Sequence, residues 1–324
     1  MSSKWIKWAK SCFGIVILLG LFYYLWDQSR TLNWELWKDK VQIPFLLLAI
    51  PFQLSLLLFS VLQINLFVRS YSKAAISALT SKFLLTQCMG VYLPSTVSEA
   101  LIVPFFKQLS VPANVSTGAF VVSKVSNTLV NVLVGLAFLG YRAGAENEIT
   151  VLYVLLLLVL SPILIILLPP LRSGARRFAK HYFNIGFEYF EIVSLFVRKK
   201  YFRAVLIFLV SFAKCACTYA TIWVIVKGLG GVTPYWVISG ATAIGVLTGI
   251  LSLTPRNLGV LEGGVILLAG GFGDSEALLL AAVLLSRLVT IANTGLSYLL
   301  ILPFVSKTER ESLSPTGNPG TLPD

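Results

Sequence analysis

The chain carries apolar runs too long for a soluble core, at 43–68, 115–140, 150–170, 203–227 and 276–303, with a shorter one at 11–26. About 20 apolar residues cross the hydrocarbon of a bilayer. In that medium each backbone N–H and C=O must be satisfied within its own segment, which leaves helices as the viable element here. The fold class that follows is an all-α polytopic membrane protein with about six full transmembrane helices. Composition agrees: 56% of the 324 residues are hydrophobic, 12% are charged and the mean hydropathy is +0.83, against about 25% charge in soluble domains.

Two further apolar stretches differ in kind. Residues 78–109 are interrupted by Gly90, Pro94 and Pro104 and carry Glu99. Residues 235–272 are interrupted by Pro255 and followed by Arg256, Gly259, Glu262 and Gly263. A break facing lipid would strand peptide groups, so both stretches read as broken or re-entrant helical hairpins packed against the full spans.

The net charge of +12 is carried between the apolar segments, which points to a membrane face and away from nucleic acid. With the N-terminus inside and each hairpin returning to its own side, fifteen Lys and Arg fall inside and five outside (Arg30, Lys38, Lys40, Arg142 and Lys227). This bias places both termini in the cytoplasm and the chain in the plasma (inner) membrane. The run at 11–26 follows Lys4, Lys7 and Lys10 but has no small-residue cleavage site after it, so it reads as an uncleaved first span. The same topology makes repeat A (about 43–140) and repeat B (about 203–303) inverted copies within a single transmembrane domain, 1–305. Between them, 172–202 spaces Phe178, Tyr182, Ile185, Tyr189, Ile192 and Phe196 along one helical stripe amid basic residues, the pattern of an amphipathic cytoplasmic linker. Residues 306–324, rich in Ser, Pro and Gly, read as a disordered cytoplasmic tail.

Six ionisable residues fall at depth: Glu99, Lys124, Lys214, Arg256, Glu262 and Arg287. Glu99 precedes Lys124 by 25 residues, and Glu262 precedes Arg287 by 25, with 163 residues between the copies. Unpaired, six such groups would cost on the order of 18 kcal/mol, more than the roughly 5–15 kcal/mol of net stability typical of a fold. They must meet one another, water or a ligand. Four are basic and two acidic, so an anionic head group would balance the excess, with Arg suited to phosphate and Lys supplying a compact charge. The alternative is a pair of structural clamps. Ser123, Ser126, Asn127 and Asn131 accompany Lys124, and Ser286, Thr290, Asn293 and Thr294 accompany Arg287; they suit a wet interior or hydrogen bonds between helices.

Soluble catalytic signatures are missing from the sequence: it has no Walker A, dinucleotide fingerprint, HExxH or GxSxG. No enzymatic activity, cofactor or metal is expected. The four cysteines and the single His181 read as packing and surface residues respectively.

At these residues the chain resembles the lysylphosphatidylglycerol synthase transmembrane-region family of flippase-like proteins. The second hairpin carries Thr254-Pro255-x-x-x-Gly259-Val260-x-Glu262-Gly263 with Arg287 in the next span, and the first carries Leu93-Pro94 through Glu99. Ser123-Lys124 stands where the family more often has Asp-Arg. The sequence shows no soluble aminoacyl-transferase domain, so the resemblance implies movement of an anionic or phosphate-bearing lipid, or lipid-linked intermediate, between leaflets, and not lysyl transfer. Lys124, Arg256 and Arg287, aided by Lys214 and Asn127, would meet the head group, Glu99 and Glu262 would gate or pair, and Pro94, Pro255, Gly259 and Gly263 would form the hairpin breaks. The primary contact is expected in the second half. Two other readings stand beside it: a non-transporting membrane partner of a lipid-modifying enzyme such as a glycosyltransferase, and a proton-coupled carrier of a small anion.

Overall fold

A computed structural model describes residues 41–89, 101–143, 188–249 and 259–312. Among them are nine helices and no strand: α1 (Ile43–Val68), α2 (Ile76–Met89), α3 (Ile102–Lys107), α4 (Ala113–Ala143), α5 (Glu188–Lys199), α6 (Tyr201–Gly228), α7 (Tyr235–Gly249), α8 (Val260–Ala269) and α9 (Glu276–Ser312). Four are long and apolar enough to cross a membrane: α1, α4, α6 and the Glu276–Leu300 part of α9. The expected spans at 11–26 and 150–170, the first half of the linker, both hairpin breaks with Pro94, Glu99, Pro255 and Arg256, and the tail from 313 lie outside the described residues.

The helices are patterned for a lipid solvent. On α1, Ile43, Leu47, Ile50, Leu54, Leu58 and Leu62 form an exposed stripe, whereas Gln53, Ser60, Gln63 and Asn65 are buried. Spacings of three and four put the leucines on one face. An exposed apolar face around a polar interior is stable only where the surrounding medium is hydrocarbon. Phe202, Val205, Leu209 and Phe212 form a similar exposed stripe on α6.

The longest packing surface joins α1 to α6. The Gln42 N–H donates to the Gly228 carbonyl at 2.7 Å, and at the other extreme Arg203 Nη1 donates to Ser70 Oγ at 2.6 Å. The two helices are therefore antiparallel along their whole lengths.

Two large apolar cores lie toward the two ends of this pair. One joins Phe67, Val68, Leu79, Ile102, Phe106, Val115 and Phe196, from α1 to α6. Ala74 and Leu109, which bracket the α2–α3 stretch, both pack on this core, so the stretch starts and finishes at one end. The other core joins Ala49, Phe138, Ile225, Ile238, Val265 and Leu279. There the segments before α7 and after α8 are tied together: Asp274 accepts from the Val232 and Thr233 N–H groups at 2.7 and 2.8 Å, and Phe272 rings meet those of Trp236 and Phe138. The α7–α8 stretch thus starts and finishes at the opposite end. Close backbone contact holds it: a Cβ on Gly264 would lie 2.9 Å from Gly245 Cα, so α7 and α8 touch where both residues lack side chains.

The apolar stripe of α5 does not lie free. Val193 and Phe196 are buried, the Phe196 ring sits 4.6 Å from that of Phe67, and Tyr71 donates its hydroxyl to the Ile192 carbonyl at 3.3 Å. The periodicity identified the apolar face correctly, but in the described helix the protein itself covers much of that face.

Candidate functional site

Lys124 lies 11 residues into α4 and Arg287 lies 11 residues into α9. At 1.5 Å per residue each is roughly 16 Å along its helix. This is about half of a 30 Å hydrocarbon layer.

The second pair closes on itself. Arg287 Nη2 donates to Glu262 Oε2 at 3.1 Å, and its Nε lies 2.5 Å from Oε1, a two-pronged contact between a guanidinium and a carboxylate. Glu262 is only 5% exposed. Its Oε2 also accepts the Gly259 N–H at 2.8 Å, so the carboxylate caps α8 while holding it to α9. Gly259 has φ +84°, a conformation that disfavours side chains, which explains the glycine at this cap. Gly263, by contrast, has no close neighbour to a Cβ. Arg287, one of the residues expected to meet a head group, is engaged by Glu262, the partner expected to gate or pair. A buried carboxylate beside a guanidinium forms a close ion pair, because neither group has much water to turn to.

The hydroxyl groups of three residues near Arg287 are satisfied within their own helix. Ser286 donates to the Val283 carbonyl, Thr290 to Ser286 and Thr294 to Thr290, each within α9. Short hydroxyl side chains satisfy themselves on the preceding turn, a choice that periodicity does not reveal.

The first half is organised differently. Lys124 and Asn127 on α4 and Lys214 on α6 line one polar cavity of about 150 Å³, closed by Val246 and Leu247 of α7. Around it runs a hydrogen-bonded chain. Ser123 Oγ donates to Gln63 Oε1 at 2.9 Å, Gln63 Nε2 donates to Ser211 Oγ at 2.6 Å, and the same nitrogen reaches Asn127 Oδ1 at 3.5 Å. Tyr219 donates to Asn131 Oδ1 at 2.8 Å, and Asn131 Nδ2 donates to the Asn127 carbonyl at 2.7 Å. Lys124, Asn127 and Lys214 are therefore brought together, while Glu262 and Arg287 form a separate pair beyond α7, which packs on both α4 and α8.

Sequence reasoning missed three parts of this arrangement. Gln63, nearly fully buried, bridges α1 to α4 and α6; a glutamine within an apolar run was the available signal. Tyr219 is buried as well and reads as an ordinary aromatic until its hydroxyl partner is seen. Lys82, six residues into α2 and partly buried, is a further cation that the count of six at depth omitted. Among the described residues no group of three His, Cys, Asp or Glu could hold a metal, and Cys88, Cys215 and Cys217 form no disulfide.

Comparison with curated proteins returns no match. The sequence pattern of the lysylphosphatidylglycerol synthase TM region, however, matches residues 11–296 of 324. That match takes in α1, α4 and α6, α9 as far as residue 296, the buried Glu262–Arg287 pair and the lysine-lined cavity, and this chain accordingly belongs to the lysylphosphatidylglycerol synthase TM region family.

Proposed function

We propose that the chain is a flippase-like transporter that moves an anionic or phosphate-bearing lipid between leaflets and performs no covalent chemistry itself. The observation that carries this reading is the cavity where Lys124 and Lys214, from separate helices, meet at mid-depth beside Asn127, inside a bundle whose outer faces are apolar. A phosphate crossing hydrocarbon alone meets a prohibitive desolvation cost. Fixed ammonium groups and amides lower it by replacing the water that the head group sheds.

An inverted-repeat architecture with two re-entrant hairpins fits this function. In support, α4 and α9 begin 163 residues apart, the same shift as between the charged pairs. The two hairpin stretches return to opposite ends of the bundle. Arg69, Lys73 and Lys199–Arg203 sit at one end and Arg142 and Lys227 at the other, as a cytoplasmic and an outer face would require. The apolar runs read from the sequence at 11–26 and 150–170 would bring the four described spans to about six. In this scheme Glu262 and Arg287 anchor the second hairpin, and head-group contact falls to the lysine cavity. The docking-partner alternative would have to use the part of the 172–202 segment other than Val193 and Phe196, which are buried against the protein.

Leaflet exchange of labelled anionic lipid in reconstituted vesicles tests the proposal. Exchange well above that of empty vesicles is expected, with Lys124→Ala/Lys214→Ala reducing it at least tenfold while the protein stays monodisperse. Exchange at the level of empty vesicles for the unaltered protein and its variants alike, across lipid classes, would overturn it.

A further inference from the structure

Apart from the interior cavity, the outside of the bundle carries a grooved track at the basic end. Two adjoining grooves run along the outer face of α1. The first, about 610 Å³, is bounded by Leu62, Leu66, Asn65 and Arg69 of α1, Ile76 of α2 and Arg203 of α6. The second, about 500 Å³, continues from it past Leu54 and Leu84 and shares Leu58 and Val61 with it. Each volume falls within the roughly 300–1,000 Å³ of ordinary ligand sites.

Polarity changes along this track in one direction. The walls between Leu54 and Leu66 are almost wholly apolar, and the mouth carries two guanidinium groups with no acidic residue in its lining. Arg203 is held at the mouth by Ser70 Oγ, which itself donates to the Leu66 carbonyl at 3.0 Å. One turn deeper than Arg69, Asn65 is 7% exposed and its Oδ1 accepts no hydrogen bond. A buried amide oxygen without a donor is costly and calls for a partner. From Leu54 to Arg69 the helix advances roughly 22 Å at 1.5 Å per residue. That exceeds the roughly 15 Å depth of one leaflet's hydrocarbon.

We infer that this track is a binding site for one anionic phospholipid. Its phosphate lies between Arg69 and Arg203, a hydroxyl of its head group donates to Asn65, and one acyl chain follows α1 toward Leu54. The apolar length matches a chain, which a free inorganic anion lacks, the paired arginines match a phosphate, and the deeper acceptor matches a head-group hydroxyl.

Native mass spectrometry of the intact protein in detergent tests the site, with phosphatidylglycerol and phosphatidylcholine of identical chains titrated separately and inorganic phosphate added as competitor. Phosphatidylglycerol is expected to bind roughly thirtyfold more tightly than phosphatidylcholine, the fold-change that two interfacial arginines supply. Arg69→Gln/Arg203→Gln should bring the ratio close to one. Lys199→Gln/Lys200→Gln, at the same end but off the track, should leave it unchanged, and Asn65→Leu should lower phosphatidylglycerol affinity severalfold. Both arginines are exposed, so their replacement should leave the fold intact; a monodisperse elution profile checks this. An unchanged ratio in the arginine variant overturns the inference. So does an equal loss in the Lys199/Lys200 control, which would mean a diffuse basic face, or displacement by millimolar inorganic phosphate, which would mean a free-anion site.

Discussion

Removing the guanidinium of Arg287 should destabilise the protein, and neutralising its partner afterwards should restore part of the loss. Glu262 is 5% exposed and has two polar partners among the described residues, Arg287 and the Gly259 N–H. Arg287→Leu leaves the carboxylate buried with the amide alone, and breaking a buried pair in this way costs about 3–5 kcal/mol. The arginine side chain is 14% exposed, so some water reaches the gap and the lower bound, about 3 kcal/mol, is the working figure. Glu262→Gln in that background removes the stranded charge, and the new amide oxygen still accepts from Gly259. The double variant should therefore be about 2 kcal/mol more stable than Arg287→Leu alone, roughly a thirtyfold change in the unfolding equilibrium. Unfolding in mixed micelles, titrated with a denaturing detergent and followed by tryptophan emission, completes the double-mutant cycle. If Glu262→Gln destabilises the protein further in the Arg287→Leu background, the pair is not a buried clamp and the reasoning fails.

Other expectations follow from the same geometry. Asp274→Ala strips two backbone N–H groups of their acceptor at the junction before α7 and should cost about 2–3 kcal/mol by the same unfolding measurement. Gly264→Ala places a methyl 2.9 Å from Gly245 Cα; the helices must separate, at about 1–3 kcal/mol, whereas Gly263→Ala, with open space around it, should be nearly neutral. Single cysteines introduced as Lys73→Cys and Arg142→Cys, in a background without native thiols, should react with an impermeant reagent from opposite sides of the membrane; labelling from one side alone would refute the assigned ends.

Length and hydropathy made the four long helices legible, because lipid imposes both at once. The run at 43–68 coincides with α1, and 115–140 and 203–227 sit inside α4 and α6 with two or three residues to spare at most ends. The equal spacing of Glu262–Arg287 and Glu99–Lys124 pointed to pairing, and the first of these two pairs is in contact. What spacing could not show was how the contact is used. Glu262 serves α8 as a cap as well as α9 as a clamp, which depends on Gly259 adopting a positive φ. Nor could it find the Lys124–Lys214 cavity, whose members are 90 residues apart on helices that meet only in the fold. Gln63 escaped notice because one uncharged amide barely alters the hydropathy of an apolar run, although it joins three helices.

The pairing of α1 with α6 limits how such a molecule can move. Both extremes are fastened, by Gln42 to Gly228 and by Ser70 to Arg203. Sliding one helix past the other by a turn, about 5.4 Å, would break both fastenings together. Rolling about their common line breaks neither. Any alternation required by the proposed transport is thus confined to a swing around a fixed spine, with the helices packed on it as its leaves, and spectroscopic distances along that spine should stay constant while those across it change.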